Sequence, residues 1–405
     1  MRLNLKITEV AMFYKMPIIF LIIILAVISF GSLIPVEIKQ ILYALSLTIK
    51  SLIIFLLPLV IFGLLFKMAV NLTHHATRII LFILGGVICS NFIATFLSHY
   101  IGSLIYHLDL SITLPKDTSM LQAAWIWGLP QLIANNKAMF GGIGLGMFLS
   151  LINVNVASRM ATKLELLVTK ILQLFIYLIP LFVTGYLIKL QADGVIMLIL
   201  KDYALIFVLI ASTQFIYITL AYLVLNRGKM LDFLNCIKNM LPAALSGFST
   251  MSSAASMPLT IIGVENNTRN KTLARAVVPA TVNIHLLGDC FAIPIFAFAV
   301  LKTFGIAEPT LISYLIFTFY FVLAKFSVAA VPGGGIIVML PILESYLGFN
   351  TNMLSLMTAL YVLFDPVITC VNILGNGAFA KMIDQLSGLT LDRHALQHLP
   401  QYAEK

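Results

Sequence analysis

The chain alternates long apolar runs with short polar breaks. Six runs of membrane-spanning length precede residue 226, near 16–36, 41–67, 78–106, 140–156, 164–189 and 200–225. A run of about 20 apolar residues suits one helix across a bilayer, and the third, being longer, implies tilt. Between the third and fourth lies a polar and aromatic stretch, His107 to Lys137, with Pro115-Lys-Asp-Thr118 and Trp125-Ile-Trp127. It reads as an outer loop with interfacial tryptophans.

After residue 240 the pattern changes. Residues 240–262 run apolar, serine-rich, apolar, with Pro242 and Pro258 around Ser249-Thr-Met-Ser-Ser-Ala-Ala-Ser-Met-Pro258. This suits a re-entrant hairpin entered from the cytoplasm, followed by a full helix over about 272–302. Residues 311–346 repeat the logic around Val331-Pro-Gly-Gly-Gly335, entered from outside, before a last helix over about 350–384 and a polar tail, 385–405. Each helix after a hairpin carries the same phrase, Thr281-Val-Asn-Ile284 and Cys370-Val-Asn-Ile373. Irregular backbone at membrane depth survives where protein buries it or it lines a cavity, and two such segments in corresponding positions point to a transporter's binding site. The expected fold is an all-α polytopic membrane protein, with eight transmembrane helices and two re-entrant hairpins arranged as inverted repeats.

Composition agrees. Of 405 residues, 60% are hydrophobic and 10% charged, against about 25% charged in soluble domains. The net charge of +9 is spread over short loops, so it reports topology and not nucleic-acid binding. Arg2, Lys6 and Lys15 precede the first span, Lys67 and Arg78 bracket the second loop, Arg159 and Lys163 lie in the fourth, and Arg227, Lys229, Lys238, Arg269, Lys271 and Arg275 follow the sixth span. Placing them inside gives cytoplasmic N- and C-termini. The apolar run after Met16 is too long for a signal peptide and lacks its cleavage site. Cys89, Cys236, Cys290 and Cys370 have no metal or disulfide spacing and read as buried small hydrophobes. No nucleophile–base constellation, phosphate loop or metal motif is present, so an enzyme is not expected.

Ionisable groups at membrane depth default to function. Lys50, His285, Asp289, Lys325, Glu344 and Asp365 fall in apolar runs. Lys50 can snorkel outward, and Glu344, near the outer end of its hairpin, reads as surface. His285 and Asp289, four apart, share a helical face, as a proton relay or as a structural hydrogen-bonded pair. Lys325, just before the glycine tip, needs an anion, with Asp289 or Asp365 available. It is either a built-in cation where an ion site would be or a salt bridge bracing the hairpin. Asn283 and Asn372 sit mid-helix, where breaks would free carbonyls for a cation or ligand. Ser249, Ser252, Ser253 and Ser256 offer hydroxyls and tip amides suited to a carboxylate, or else serve helix packing.

Over nearly its whole length the chain resembles the dicarboxylate/amino acid:cation symporters, the glutamate-transporter family. Ser252-Ser-Ala-Ala-Ser-Met-Pro258, Ala280-Thr-Val-Asn283, Val331-Pro-Gly-Gly-Gly335 and Asp365 with Val371-Asn-Ile-Leu-Gly375 carry the resemblance, in that order. It implies a homotrimer in a lipid bilayer and an elevator-type transporter. Residues 1–226 would be mainly scaffold and trimerisation spans, with the third span joining the transport domain and the sixth at its edge. Residues 227–384 would be the transport core and 385–405 a cytoplasmic tail. It also implies that Asp365 binds a substrate ammonium, that Asn372 binds its α-carboxylate with Ser252, Ser253 and the tip amides, and that Val331 and Gly335 gate the site, with Ile368 and Thr369 in its wall.

The departures carry as much. Ile368 stands where the family has the arginine that pairs an acidic side chain, and Met251 where some members have a hairpin arginine. A desolvated acidic side chain would lack a partner, which favours a neutral amino acid. His285 and Asn376 replace the family's two sodium-binding aspartates, and Lys325 a serine of another sodium site. Asn283, His285, Asp289, Lys325 and Asn376 are therefore the candidate coupling residues, with Na+ or H+ as the coupling ion and no other cofactor. The expected function is secondary transport of a small neutral amino acid across a bacterial-type inner membrane, with sodium coupling weakened and replaced by protons or exchange. Competing readings are a dicarboxylate symporter using Lys325 for the extra carboxylate, and a channel-like or degenerate ligand-binding sensor.

Overall fold

A computed structural model describes residues 16–75, 78–108, 121–130, 132–194, 196–328 and 332–390. The basic N-terminus, Lys116, Val331 and the tail after 390 lie outside the described residues. All regular structure among the described residues is helical. The helices are α1 (Met16–Phe30), α2 (Val36–His75), α3 (Arg78–His107), α4 (Asn135–Ile152), α5 (Val154–Ala192), α6 (Ile196–Leu225), α7 (Met230–Thr250), α8 (Met257–Asn267), α9 (Lys271–Thr281), α10 (Leu287–Thr303), α11 (Leu311–Lys325), α12 (Gly334–Leu347) and α13 (Thr351–Thr390).

Five described helical stretches are long and apolar enough to cross a membrane by length and composition: Val36–Val70, Leu81–His107, Val154–Ala192, Tyr203–Leu225 and Thr351–Leu386. Shorter apolar helices occupy Ile18–Leu33, Lys137–Ile152, Leu311–Lys325 and Gly334–Leu347.

Three sequence expectations change. The loop expected between the fourth and fifth runs is a single residue, Asn153, whose side chain accepts from the Val156 amide and caps α5. Arg159 and Lys163 therefore lie on helix, not in a loop. Lys67 is also helical, because α2 continues to His75, and it pairs with Glu165 of α5 at 2.5 Å. The helix expected over 272–302 is two pieces, α9 and α10, separated at 282–286.

The helices pack as two groups. In one, α2 lies against α4 and α5, and α1 against α5. Gly142 and Gly146 set the α2–α4 approach: a Cβ on either would lie 2.7 Å from the Phe62 or Phe66 carbonyl oxygen. Such small residues one turn apart let membrane helices approach backbone to backbone. In the other group α10 lies against α3, α6 and α13, and α7, α8, α9 and α12 also pack on α13. Of α10, every residue except Lys302 is buried, as expected of a helix apolar on all sides.

α7 and α8, joined by Met251–Ser256, pack on each other as a helix–turn–helix pair, and α11 and α12 form a second. α13 is continuous for 40 residues despite Pro366, which sits beside Asp365. Its start is tied to the first group: Lys50 Nζ donates to the Thr351 carbonyl at 2.7 Å and the Tyr186 hydroxyl to that of Asn352 at 3.3 Å. Lys50 is thus buried between the groups at 4% exposure and does not snorkel.

Candidate functional site

Three buried charges organise the second group. Lys325 ends α11 and Asp289 lies in the first turn of α10; they are 0% and 1% exposed, with Nζ 3.0 Å from Oδ2. The Tyr361 hydroxyl of α13 donates to the other carboxylate oxygen at 2.7 Å. The ammonium also lies 4.5 Å from the centre of the Phe321 ring, which adds a cation–π contact. Of the two anions open to Lys325, the fold selects Asp289, and one tyrosine completes the pair.

Gly335 belongs to this arrangement. A Cβ there would collide with the Tyr361 hydroxyl and lie 2.7 Å from Asp289 Oδ2. Gly335→Ala is expected to push α12 off the pair at about 1–3 kcal/mol, the usual cost of overpacking. A fall in melting temperature with unchanged helical circular dichroism would register it.

Asp365 is partnered differently. Its Oδ2 accepts from the Gly333 amide at 2.8 Å and its Oδ1 from the Thr369 hydroxyl at 3.1 Å. Gly333 opens α12 with φ +70°, a left-handed turn that glycine makes without steric cost and that sets its amide at the carboxylate. Both partners are neutral, and no ion pair involves Asp365 among the described residues.

Asp365, Ile368, Thr369 and Asn372 fall at i, i+3, i+4 and i+7 of one continuous helix and so share a face. Asn372 Oδ1 accepts from the Gly288 amide at 2.8 Å; its Nδ2 donates to no described residue. The last turn of α7 meets the same stretch of α13, because a Cβ on Gly247 would lie 3.2 Å from Thr369 Cγ2. At its tip Met251 adopts a left-handed conformation, φ +51°, a strained state for a side-chain-bearing residue. Ser252 and Ser253 are 4% and 3% exposed. Ser252 Oγ accepts from the Ala255 amide, and Ser256 donates to Ser246. The last turn of α7 and the Gly333 start of α12 therefore both meet residues 365–373.

His285 and Asp289 are not brought together. The backbone is unwound between α9 and α10, so a four-residue spacing no longer defines a common face. His285 Nε2 lies 2.9 Å from the Ser90 hydroxyl of α3, and its ring 4.5 Å from that of Phe379. Asp289 faces Lys325. Asn283 lies in the same unwound segment and is exposed, while Asn376 is buried and donates to the His285 and Asn372 carbonyls. No break falls at Asn372, since α13 runs through it, so no carbonyls are freed there. Glu344 is exposed, as expected. Tyr361, Ser90, Asn91 and Gln214 were not foreseen as members of the site. Only the i, i+4 spacing of Tyr361 and Asp365 hinted at the first.

Apolar helices of membrane-crossing length, packed around buried charges and two turns, define a multi-pass membrane protein, helical in all the regular structure of its described residues, with a polar site at the depth of its core. The profile of the sodium:dicarboxylate symporter family matches residues 12–386, and the chain belongs to that family, one of transporters and not of enzymes. Mouse excitatory amino acid transporter 2 is 29% identical over 185 residues, 45% of this chain and 31% of that protein. The putative sodium-dependent excitatory amino acid transporter glt-4 of Caenorhabditis elegans is 28% identical over 177 residues, 42% and 34% of the two chains. The excitatory amino acid transporter of Onchocerca volvulus is 26% identical over 159 residues, 39% and 32%. The matched stretch spans about a third of the length of these relatives.

Proposed function

We propose that this chain is a secondary transporter of a small neutral amino acid. The observation that carries the reading is the contrast between the two buried aspartates. Asp289 is already neutralised by Lys325, whereas among the described residues Asp365 is held by neutral donors alone. A buried carboxylate without a protein cation is costly, and a substrate ammonium supplies the missing charge. The Asn372 amide, with the Ser252–Ser253 turn, offers donors for the α-carboxylate two helical turns away. Ile368, fully buried on the same face, suits an uncharged side chain.

The same contrast speaks against a dicarboxylate, because the ammonium that would receive a second carboxylate is engaged by Asp289 and the Tyr361 hydroxyl shares that anion. The relatives' names include excitatory amino acids, and the family's includes sodium; for this chain the residues favour a neutral substrate and weakened sodium coupling. The α3 and α6–α13 group would carry the site past the α1, α2, α4 and α5 group in an elevator motion. The two helix–turn–helix pairs would then be re-entrant hairpins, in a homotrimer of a bacterial-type inner membrane with both termini cytoplasmic.

Uptake by purified protein in proteoliposomes tests the reading. Labelled alanine or serine is expected to enter or exchange, with little competition from aspartate or succinate and little change when choline replaces sodium. Accumulation of succinate or aspartate driven by sodium and lost without it would overturn both the substrate class and the coupling.

A further inference from the structure

The unwound segment between α9 and α10 should leave peptide carbonyls without helical partners. In discontinuous transporter helices such carbonyls commonly hold the coupling cation. Here side-chain amides of two other helices reach two of them, and a third amide reaches the first turn of α10 beside the break. Asn91 Nδ2 of α3 donates to the Ile284 carbonyl at 2.7 Å. Asn376 Nδ2 of α13 donates to the His285 carbonyl at 3.2 Å and the Asn372 carbonyl at 3.0 Å. Gln214 Nε2 of α6 donates to the Gly288 carbonyl at 2.8 Å. Asn91 and Gln214 are 0% exposed and Asn376 is 1% exposed.

The orientation of these amides is fixed by chemistry. A carbonyl oxygen accepts, so each amide must present its NH2 side to it. A hard cation needs the reverse, several oxygens turned inward together. In the first turn of α10, just past the same segment, Asp289 holds the Lys325 ammonium. Donors borne by the chain thus stand on the Ile284, His285 and Gly288 carbonyls and on the Asp289 carboxylate, while the amides' own oxygens, Asn91 Oδ1, Gln214 Oε1 and Asn376 Oδ1, are buried and accept from no described group.

We propose that Asn91 and Asn376 plug the helix break and Gln214 braces the first turn of α10 beside it, with Lys325 as a tethered cation, so that the core holds its binding-competent shape without sodium. The three amides are positioning residues; none need touch substrate. The proposal deepens the transporter reading, and rests on it only for the consequence that substrate binding is sodium-independent.

The experiment needs no substrate, so a failure here is distinct from a failure of uptake. Purified protein is melted in sodium chloride and in choline chloride at equal ionic strength, beside retention of 22Na+. The wild type is expected to melt identically in both and to retain no saturable 22Na+. The isosteric exchanges Asn91→Asp, Gln214→Glu and Asn376→Asp turn a donor into an anionic acceptor. At least one is expected to melt lower in choline and to regain stability selectively in sodium, since a ligand that binds only the folded state raises its apparent stability. Sodium-selective stabilisation or saturable 22Na+ retention by the wild type would overturn the proposal. So would folded variants that all remain indifferent to sodium. If none of the three folds, wild-type 22Na+ retention decides alone: its presence refutes the plug and its absence supports it.

Discussion

Lys325→Met is expected to give a protein that is poorly folded in detergent, destabilised by about 3–5 kcal/mol, the usual cost of leaving one partner of a buried ion pair uncompensated. The uncompensated group is Asp289, 1% exposed and left with the Tyr361 hydroxyl as its partner. Asp289→Asn is expected to cost a similar amount by stranding the ammonium in the same apolar surroundings. The double variant should recover most of the loss, because well-packed neutral groups of similar volume often replace a buried pair at little cost. Melting temperature and the monodisperse fraction on size exclusion, read across the four proteins, give the coupling. Additive losses in the two single variants would mean that the pair acts as two separate contacts.

Asp365→Asn is expected to leave folding nearly intact and to remove binding of the amino acid. The amide oxygen can still accept from the Gly333 amide, and the NH2 that replaces the other oxygen can donate to the Thr369 hydroxyl once that hydroxyl turns to accept, so both contacts that hold the side chain are kept. The charge that would meet an ammonium is gone. Losing one member of a buried charge pair across a binding interface costs about 2–5 kcal/mol, roughly 30- to 4,000-fold in affinity. Exchange of labelled alanine in proteoliposomes, at matched protein incorporation, measures it. Undiminished exchange would remove Asp365 from the site.

The turns were legible because Pro, Gly and Ser clusters interrupt apolar sequence in a way no straight helix tolerates. Both were found where expected: Met251–Ser256 lies within the serine segment, and Gly333 opens α12. The break at 282–286 was only half legible. Those five residues contain no glycine or proline, and the segment is held by Asn91 and Asn376, distant in sequence and brought near by tertiary packing alone. The expected His285–Asp289 pairing failed for the same reason, since spacing arguments assume an unbroken helix. Tyr361 was hidden because a tyrosine in an apolar run looks the same whether it faces lipid or a buried carboxylate. The α4–α5 junction was missed because one well-capped residue, Asn153, is enough to separate the helices, while the basic residues beyond it resembled a loop. Lys50 shows the limit of snorkelling as an expectation: a long side chain goes to water only if a neighbouring helix end does not offer a carbonyl first.

Pro366 has a mechanical consequence. α13 is about 60 Å long by its helical rise. It is moored at Thr351 and Asn352 by Lys50 and Tyr186, and at Asp384, whose carboxylate accepts the amides of Arg269 and Asn270. A proline inside a helix deletes one rung of its hydrogen-bond ladder, so flexure is cheapest there. The residue beside that weak rung is Asp365. The weakest rung of the helix thus lies beside Asp365, the carboxylate proposed to bind substrate, and an occupant bridging Asp365 and Asn372 would act as a splint across it.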